Sequence, residues 1–128
     1  MIVDDDALVG RTLVQCLSAA HEVAAVMSAP AALAVLSGAS TFDVVLCDVQ
    51  MPGMDGIAFY DELARRSPEI AERVVFMTAN PDYPPTRAFL EASKRPCLTK
   101  PFELDAVEDL LQRWIRRSFD VEDLRSGT

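Results

Sequence analysis

The sequence predicts an α/β fold built on a parallel β-sheet. Short apolar runs alternate along the chain with longer segments whose apolar residues recur at helical spacing. The central runs, residues 44–47 and 74–77, are apolar without interruption, as is typical of parallel strands buried on both faces. Five such strands alternating with five helices favour one sheet whose strands are joined by helical crossovers.

Each element rests on a local pattern. The runs assigned to strands are residues 2–3, 22–27, 44–47, 74–77 and 96–99. The helical patterns cover residues 7–20, 31–36, 57–66, 86–93 and 104–117. In the first of these helices, Val9, Leu13 and Leu17 recur at the spacing of one amphipathic face. Pro30 stands where the second helix can begin, and Gly38 ends it.

The second half of the chain ends in the clearest helix. Ile57 and Leu63 share one side of the third helix. Residues 80–85 are predicted to form an extended loop, because each proline biases its predecessor away from helix. An apolar stripe and a group of arginines near the C-terminal end mark the last helix. We expect one domain at residues 1–117 and a polar C-terminal tail at residues 118–128.

Composition excludes several classes of function. The 128 residues carry a net charge of −8, which repels phosphate backbones and argues against direct nucleic-acid binding. No uncharged apolar stretch reaches the ~18 residues of a membrane span, and the N-terminus lacks the pattern of a signal peptide. Three cysteines without close spacing predict no zinc or disulfide site, and His21 is the only histidine. We therefore expect a cytoplasmic protein.

Polar residues follow four of the predicted strands where each strand ends. They are Asp4, Asp5 and Asp6 after the first strand, Asp48 after the third, Thr78 after the fourth and Lys100 after the fifth. Each alone has an ordinary structural explanation, and Asp6 is predicted to cap the first helix. In open parallel sheets, however, the functional crevice lies beyond the carboxyl ends of the strands. Their convergence there predicts a functional site.

These residue types fit phosphoryl transfer to a carboxylate. Clustered carboxylates bind hard divalent cations such as Mg²⁺ through oxygen. A lysine ammonium and a threonine hydroxyl can bind the oxygens of a phosphoryl group. Aspartate is an established nucleophile that forms acyl phosphates, and Asp48 is the predicted acceptor.

Four stretches resemble the signatures of response-regulator receiver domains of two-component signalling. They are Val-Asp-Asp-Asp at 3–6, Asp-Val-Gln-Met-Pro-Gly-Met-Asp-Gly at 48–56, Met-Thr-Ala at 77–79 and Lys-Pro-Phe at 100–102. They stand in the family's order, and the resemblance extends from residue 2 to about residue 117. It implies a flavodoxin-like, doubly wound (βα)5 fold with strand order 2-1-3-4-5 and helices on both faces. The segment before the fifth strand, residues 80–90, looks more similar to receivers attached to sensor histidine kinases, as in hybrid kinases, than to receivers joined to DNA-binding domains.

The resemblance implies a role for each matching residue. Asp48 is the phosphoacceptor and a Mg²⁺ ligand. Asp5 and the backbone carbonyl of Gln50 bind the ion directly, and Asp4 binds it through water. Thr78 is the switch hydroxyl.

The remaining implied roles surround the phosphoryl group. Lys100 pairs with it, and the peptide bond before Pro101 is expected to be cis. Gln50 and Asn80 are expected to tune the lifetime of the phosphorylated form. Cys97 is a departure, because receivers usually carry an aromatic residue there that couples to the switch hydroxyl. Tyr83 is one hypothetical substitute.

The predicted function is that of a phosphorelay switch rather than an enzyme, since the domain catalyses only its own phosphorylation and dephosphorylation. Its implied partners are a histidine kinase or histidine phosphotransfer domain, and an output protein or attached domain. The output contacts the face formed by the predicted fourth helix, fifth strand and fifth helix.

Two alternatives remain open. A pseudo-receiver would keep the fold as an interaction module without being phosphorylated, which Cys97 favours and the intact Asp48 and Lys100 oppose. A phosphohydrolase with an aspartyl nucleophile would need a further acidic pair and a cap, neither of which has a convincing counterpart in the sequence.

Overall fold

The architecture is known from a computed structural model, which describes residues 1–38 and 41–126, with side chains described up to residue 115. The strands are β1 (Ile2–Val3), β2 (Ala25–Val26), β3 (Val45–Asp48), β4 (Val74–Thr78) and β5 (Cys97–Thr99). The helices are α1 (Ala7–Leu17), α2 (Ala29–Leu36), α3 (Gly56–Arg66), α4 (Pro68–Ala71), α5 (Pro84–Ser93) and α6 (Leu104–Ser126).

The strands form one parallel sheet in the order β2-β1-β3-β4-β5. This order confirms the predicted fold. The strand order reverses beside β1, so that β1 and β3 both end at the crevice where open α/β sheets place their ligands. In register, Asp48 pairs with Met77 and Thr78 pairs with Thr99. The last residues of β3, β4 and β5 therefore reach one edge, called here the carboxyl edge.

Helices cover both faces of the sheet, as predicted. On one face, α1 and α6 bury residues such as Leu13 and Val107 against β1, β3, β4 and β5. On the other face, α2 and α3 bury residues such as Leu33 and Phe59, and α4 and α5 contribute Ala71 and Phe89. Because the strands are buried from both sides, their alternate side chains enter two separate cores, which explains the continuous apolar runs.

One helix ends earlier than local patterns predicted, and one short helix was not predicted at all. The first helix was expected to reach residue 20, but α1 ends at Leu17, where the Ser18 backbone N–H and hydroxyl both donate to the Val14 carbonyl. Such side-chain bonds compete with continued helix. The four-residue α4 was not predicted; Pro68 occupies its first turn, where a missing N–H costs no hydrogen bond.

Two more helices are longer than predicted. The loop expected at residues 80–85 is wrong at its end, because Pro84 and Pro85 form the first turn of α5, where proline is tolerated. The backbone of α6 stays helical through residue 126, nine residues beyond the expected end of the last helix at residue 117, and residues 127–128 lie outside the described ranges. The division into a domain at 1–117 and a polar tail at 118–128 stays a prediction. No proline or glycine interrupts the sequence of α6. None of the described helices has the length and apolarity needed to cross a membrane.

Candidate functional site

The predicted polar residues meet at the carboxyl edge. Asp4 directly follows β1, Asp48 is the last residue of β3, Thr78 is the last residue of β4, and Lys100 directly follows β5. Two backbone hydrogen bonds align these ends: the Val49 N–H donates to the Met77 carbonyl at 2.9 Å, and the Lys100 N–H donates to the Thr78 carbonyl at 2.8 Å. The site is thus a consequence of strand register.

Three carboxylates form an acidic cluster at this edge. One oxygen from each of Asp4, Asp5 and Asp48 lies within 4.8 Å of the others. Asp4 is 1% exposed and Asp48 is 8% exposed, whereas Asp5 is exposed to solvent. Oxygen ligands at this spacing, with one side open to water, fit a hard divalent cation such as Mg²⁺, which keeps several of its waters.

The contacts of Asp4 leave it little room to bind a metal directly. Its Oδ1 accepts the Asp6 backbone N–H at 2.9 Å, and its Oδ2 accepts Lys100 Nζ at 2.7 Å. Both carboxylate oxygens are therefore engaged. The expectation that Asp4 acts on a metal through water while Asp5 contacts it directly stays a prediction.

Lys100 joins two of the carboxylates. Its Nζ lies 2.7 Å from Asp4 Oδ2 and 3.4 Å from Asp48 Oδ2. Burial lowers the pKa of Lys100, but the hydrogen bond to Asp4 and the charge of Asp48 outweigh it, so the pKa lies above its ordinary value. Lys100 is therefore charged at neutral pH and serves as the counterion of the acidic cluster.

Burial raises the pKa of Asp48 above its ordinary value, and the positive charge of Lys100 opposes this effect. The charge of Asp4 adds to the upward shift, and the Gln50 backbone N–H, which lies 3.4 Å from Asp48 Oδ1, opposes it. Asp48 is thus a partly desolvated carboxylate beside a fixed ammonium, and such desolvation makes an oxyanion a better nucleophile.

Removing the Lys100 charge should make the stability of the fold depend on divalent cations. In Lys100→Met, the buried Asp4 loses its ionic partner, and a buried group left without its charged partner costs about 1–3 kcal/mol or more. We expect a lower free energy of unfolding in urea without Mg²⁺, and a larger recovery on adding Mg²⁺ than wild type shows.

The matched control for this prediction is Lys94→Met. Lys94 ends α5 as an exposed residue with a left-handed backbone (φ 57°). The Lys94→Met substitution should hardly change how much Mg²⁺ raises the free energy of unfolding. Equal Mg²⁺ responses in Lys100→Met and wild type would contradict the counterion role.

Thr78 differs in its exposure to solvent from Gln50 and Asn80, two of the residues predicted to tune the site. Thr78 is fully buried, and its hydroxyl oxygen accepts the Asn80 backbone N–H at 3.1 Å. Gln50 and Asn80 are exposed. Their predicted influence on phosphoryl lifetime stays a prediction.

Two smaller expectations about local geometry are confirmed. The Lys100–Pro101 peptide bond is cis. Asp6 caps α1, because its carboxylate accepts the Leu8 backbone N–H at 2.9 Å.

Tyr60, Phe76 and Phe89 form an aromatic cluster that the sequence analysis did not predict. Their ring centroids lie 5.3–5.9 Å apart in edge-to-face arrangements. From the sequence, each of these residues could be assigned only to an apolar position of its own element. Their mutual contacts could not be predicted, because they depend on how α3 and α5 pack against β4. Cys97 pairs in register with Phe76, and packs against the same core.

Cys97 itself has no sign of chemical activation. Burial raises the pKa of its thiol to about 11, so the thiol is protonated at neutral pH. Tyr83, the hypothetical aromatic substitute, precedes α5 and is 49% exposed.

Comparisons with known proteins agree with this geometry. A family model described as "Response regulator receiver domain" matches residues 1–112. The chain belongs to the response regulator receiver domain family. As a receiver, it has the expected parallel sheet and places its acidic cluster at the carboxyl edge.

Similar full-length proteins are response regulators. The receiver is 31% identical over 114 residues to the DNA-binding transcriptional regulator NtrC of Escherichia coli, covering 89% of this chain and 24% of that protein. It is 38% identical over 117 residues to the response regulator protein FleR of Pseudomonas aeruginosa, covering 88% and 24%. The chain thus spans about a quarter of the length of the curated relatives it matches. Its closer likeness to hybrid-kinase receivers stays a prediction.

Among solved structures, the chemotaxis protein CheY4 of Vibrio cholerae is similar with a TM-score of 0.76 and 27% identity. That match covers 88% of this chain and 93% of that chain. The similarity extends over nearly all of both chains, so the receiver resembles CheY4 in its whole architecture.

Proposed function

We propose that this receiver accepts a phosphoryl group on Asp48 and thereby switches the conformation of its output face. The observation that carries the proposal is the contact of Lys100 with both Asp4 and Asp48, beside the exposed carboxylate of Asp5. One ammonium and three carboxylates around a single acceptor form the charge pattern that phosphoryl transfer requires.

Asp5, Asp48 and the Gln50 carbonyl would hold Mg²⁺ directly, and Asp4 would contribute through water. When bound, the ion supplies positive charge that offsets the repulsion between Asp48 and an incoming phosphate. The proposal rests on the spacing of the three carboxylates, since their oxygens lie within 4.8 Å of one another.

The residues of the chain then act directly on the phosphoryl group. An Asp48 carboxylate oxygen attacks the phosphorus of a phosphohistidine, an O–P bond forms, and the N–P bond to the histidine breaks. Lys100, whose Nζ lies 3.4 Å from Asp48 Oδ2, donates a hydrogen bond to a phosphoryl oxygen. The Thr78 hydroxyl, at the end of the adjacent strand β4, donates to another.

The switch is proposed to change the face formed by α5, β5 and α6. Thr78 pairs with Thr99 of β5, so movement of its hydroxyl toward Asp48 acts on the strand next to α5. The donor is a histidine kinase or a histidine phosphotransfer domain, and the reader of the face is an output protein or an attached domain. Receiver domains interact with such partners, and the relatives named above are response regulators.

The proposed compartment is the cytoplasm. Cys16, Cys47 and Cys97 all have free thiols, which suits a reducing environment.

The competing pseudo-receiver is favoured only by Cys97. A phosphohydrolase is not favoured, because it would need a further acidic pair, and among the described residues Asp4, Asp5 and Asp48 form the one group of acidic side chains close enough to hold a metal.

The test is phosphorylation by acetyl phosphate, followed by intact mass spectrometry with Mg²⁺ and with a chelator. We expect a gain of one phosphoryl mass that requires Mg²⁺ and is released by hydroxylamine, which cleaves acyl phosphates. A folded protein that binds Mg²⁺ but gains no mass would favour the pseudo-receiver. A hydroxylamine-resistant product would exclude an aspartyl phosphate.

A further inference from the structure

Gly56 lies unusually close to the backbone of Asp48. A Cβ atom built on Gly56 would stand 2.4 Å from the Asp48 carbonyl oxygen and 2.9 Å from the Val49 Cα. Real Cβ atoms do not approach other atoms so closely, so any side chain at this position would displace the end of β3. Gly56 is therefore required for close approach between α3 and the strand end that carries the acceptor.

Hydrogen bonds hold this approach in place. The Gly56 N–H donates to the Val49 carbonyl at 2.8 Å. The adjacent Asp55 caps α3, because its carboxylate accepts the Ala58 backbone N–H at 2.8 Å. These bonds close a loop over residues 50–55 and tie both of its ends to rigid elements.

We propose that Asp55 and Gly56 form a backbone clamp that positions Asp48 and the Gln50 carbonyl for binding Mg²⁺ and accepting the phosphoryl group. This inference rests on the proposed function and assigns it two positioning residues. The clamp is the contact of Gly56 with Asp48, the Gly56–Val49 hydrogen bond and the Asp55 cap.

The clamp positions two predicted Mg²⁺ ligands, one from a side chain and one from the backbone. Asp48 contributes a carboxylate from the last residue of β3, and Gln50 contributes a carbonyl from inside the closed loop. Displacing the Asp48 carbonyl from a Cβ that would stand 2.4 Å away would move both ligands relative to Asp5, which follows a different strand. Small changes in the surroundings of a metal ligand typically cost 10–100-fold in affinity or activity.

The first experiment compares Gly56→Ala with Gly10→Ala. Both add one methyl group to a helix, but a Cβ on Gly10 would meet only Ala25 Cβ at an ordinary 3.7 Å. For each variant, calorimetry gives the Mg²⁺ affinity of the unphosphorylated protein, acetyl phosphate gives the phosphorylation rate at saturating Mg²⁺, and urea gives the folded fraction. We expect Gly56→Ala to lose about tenfold or more in Mg²⁺ affinity and in rate, and Gly10→Ala to match wild type.

A second pair of variants, at Asp55, tests the clamp if Gly56→Ala does not fold. Asp55→Ala and Asp55→Asn both remove the charge, but only asparagine can still cap the helix. We expect Asp55→Ala to bind Mg²⁺ several-fold more weakly than Asp55→Asn and to be phosphorylated more slowly.

The outcomes separate this proposal from the function on which it rests. A folded Gly56→Ala that equals Gly10→Ala in Mg²⁺ affinity and rate would overturn the clamp, as would equal values for the two Asp55 variants. If wild type binds Mg²⁺ but is never phosphorylated, the proposed function fails. The clamp can still be tested in that case by comparing the Mg²⁺ affinities of the variants with that of wild type. A wild type that binds no Mg²⁺ would overturn both.

Discussion

Replacing Asp48 by asparagine is expected to abolish Mg²⁺-dependent phosphorylation completely. The amide is not a carboxylate nucleophile, and the substitution also removes one of the three charges of the acidic cluster. Asp4 cannot take over easily, because both of its oxygens are engaged by Lys100 and by the Asp6 backbone. The measurement is intact mass after treatment with acetyl phosphate, with wild type treated in parallel.

The same substitution should leave the fold intact. Since burial raises the pKa of Asp48, the folded state disfavours its charged form relative to the unfolded chain. A neutral side chain of the same shape is therefore expected to preserve or increase the free energy of unfolding at neutral pH. Loss of phosphorylation thus cannot be attributed to unfolding if the urea transition is unchanged or shifts upward.

The matched control for Asp48→Asn is Asp61→Asn. Asp61 is an exposed residue of α3, and its substitution makes the same change of charge at another position of the chain. Asp61→Asn should be phosphorylated like wild type. A phosphoryl gain of normal extent in Asp48→Asn would show that another carboxylate is the acceptor, and peptide mapping would identify it.

Truncating Phe76 to alanine is expected to destabilise the fold by about 3–5 kcal/mol. Phe76 is fully buried in the interior strand β4, and its ring makes edge-to-face contacts with both Tyr60 of α3 and Phe89 of α5. The substitution leaves a cavity among well-packed neighbours. Because whole domains are stable by only about 5–15 kcal/mol, urea unfolding should show a midpoint moved far toward low denaturant.

Two controls divide that loss between volume and ring contacts. Phe76→Leu keeps most of the volume and should cost clearly less than alanine. A double-mutant cycle of Phe76→Leu with Phe89→Leu should give a coupling of about 0.5–1.5 kcal/mol, as aromatic pairs do. If Phe76→Ala costs less than about 1 kcal/mol, the aromatic cluster does not hold α3 and α5 on the sheet.

Local patterns were most reliable for strands in the middle of the sheet and least reliable at helix ends. The runs assigned to β3 and β4 could be recognised because burial on both faces requires continuous apolar residues. The end of α1 depended on a hydrogen bond from the Ser18 hydroxyl to Val14, and the start of α5 depended on two prolines fitting its first turn. The spacing of apolar residues determines neither the end of α1 nor the start of α5.

The site was foreseeable for the same topological reason. Parallel strands all end at one edge, so knowing where β1, β3, β4 and β5 end was enough to bring Asp4, Asp48, Thr78 and Lys100 together. Contacts between side chains were not foreseeable. The sequence does not say that Lys100 bonds most closely to Asp4, or that a Gly56 side chain would strike the Asp48 carbonyl.

The sequence by itself determined the α/β class, the parallel sheet and the residue types at its carboxyl edge. These features follow from local apolar patterns and from the direction shared by parallel strands. Only the tertiary structure decided the ion pairs of Lys100, the contact of Gly56 with the acceptor strand and the aromatic cluster on β4. Those features depend on distances of a few ångströms between segments remote in sequence, which are set by how the helices pack on the sheet.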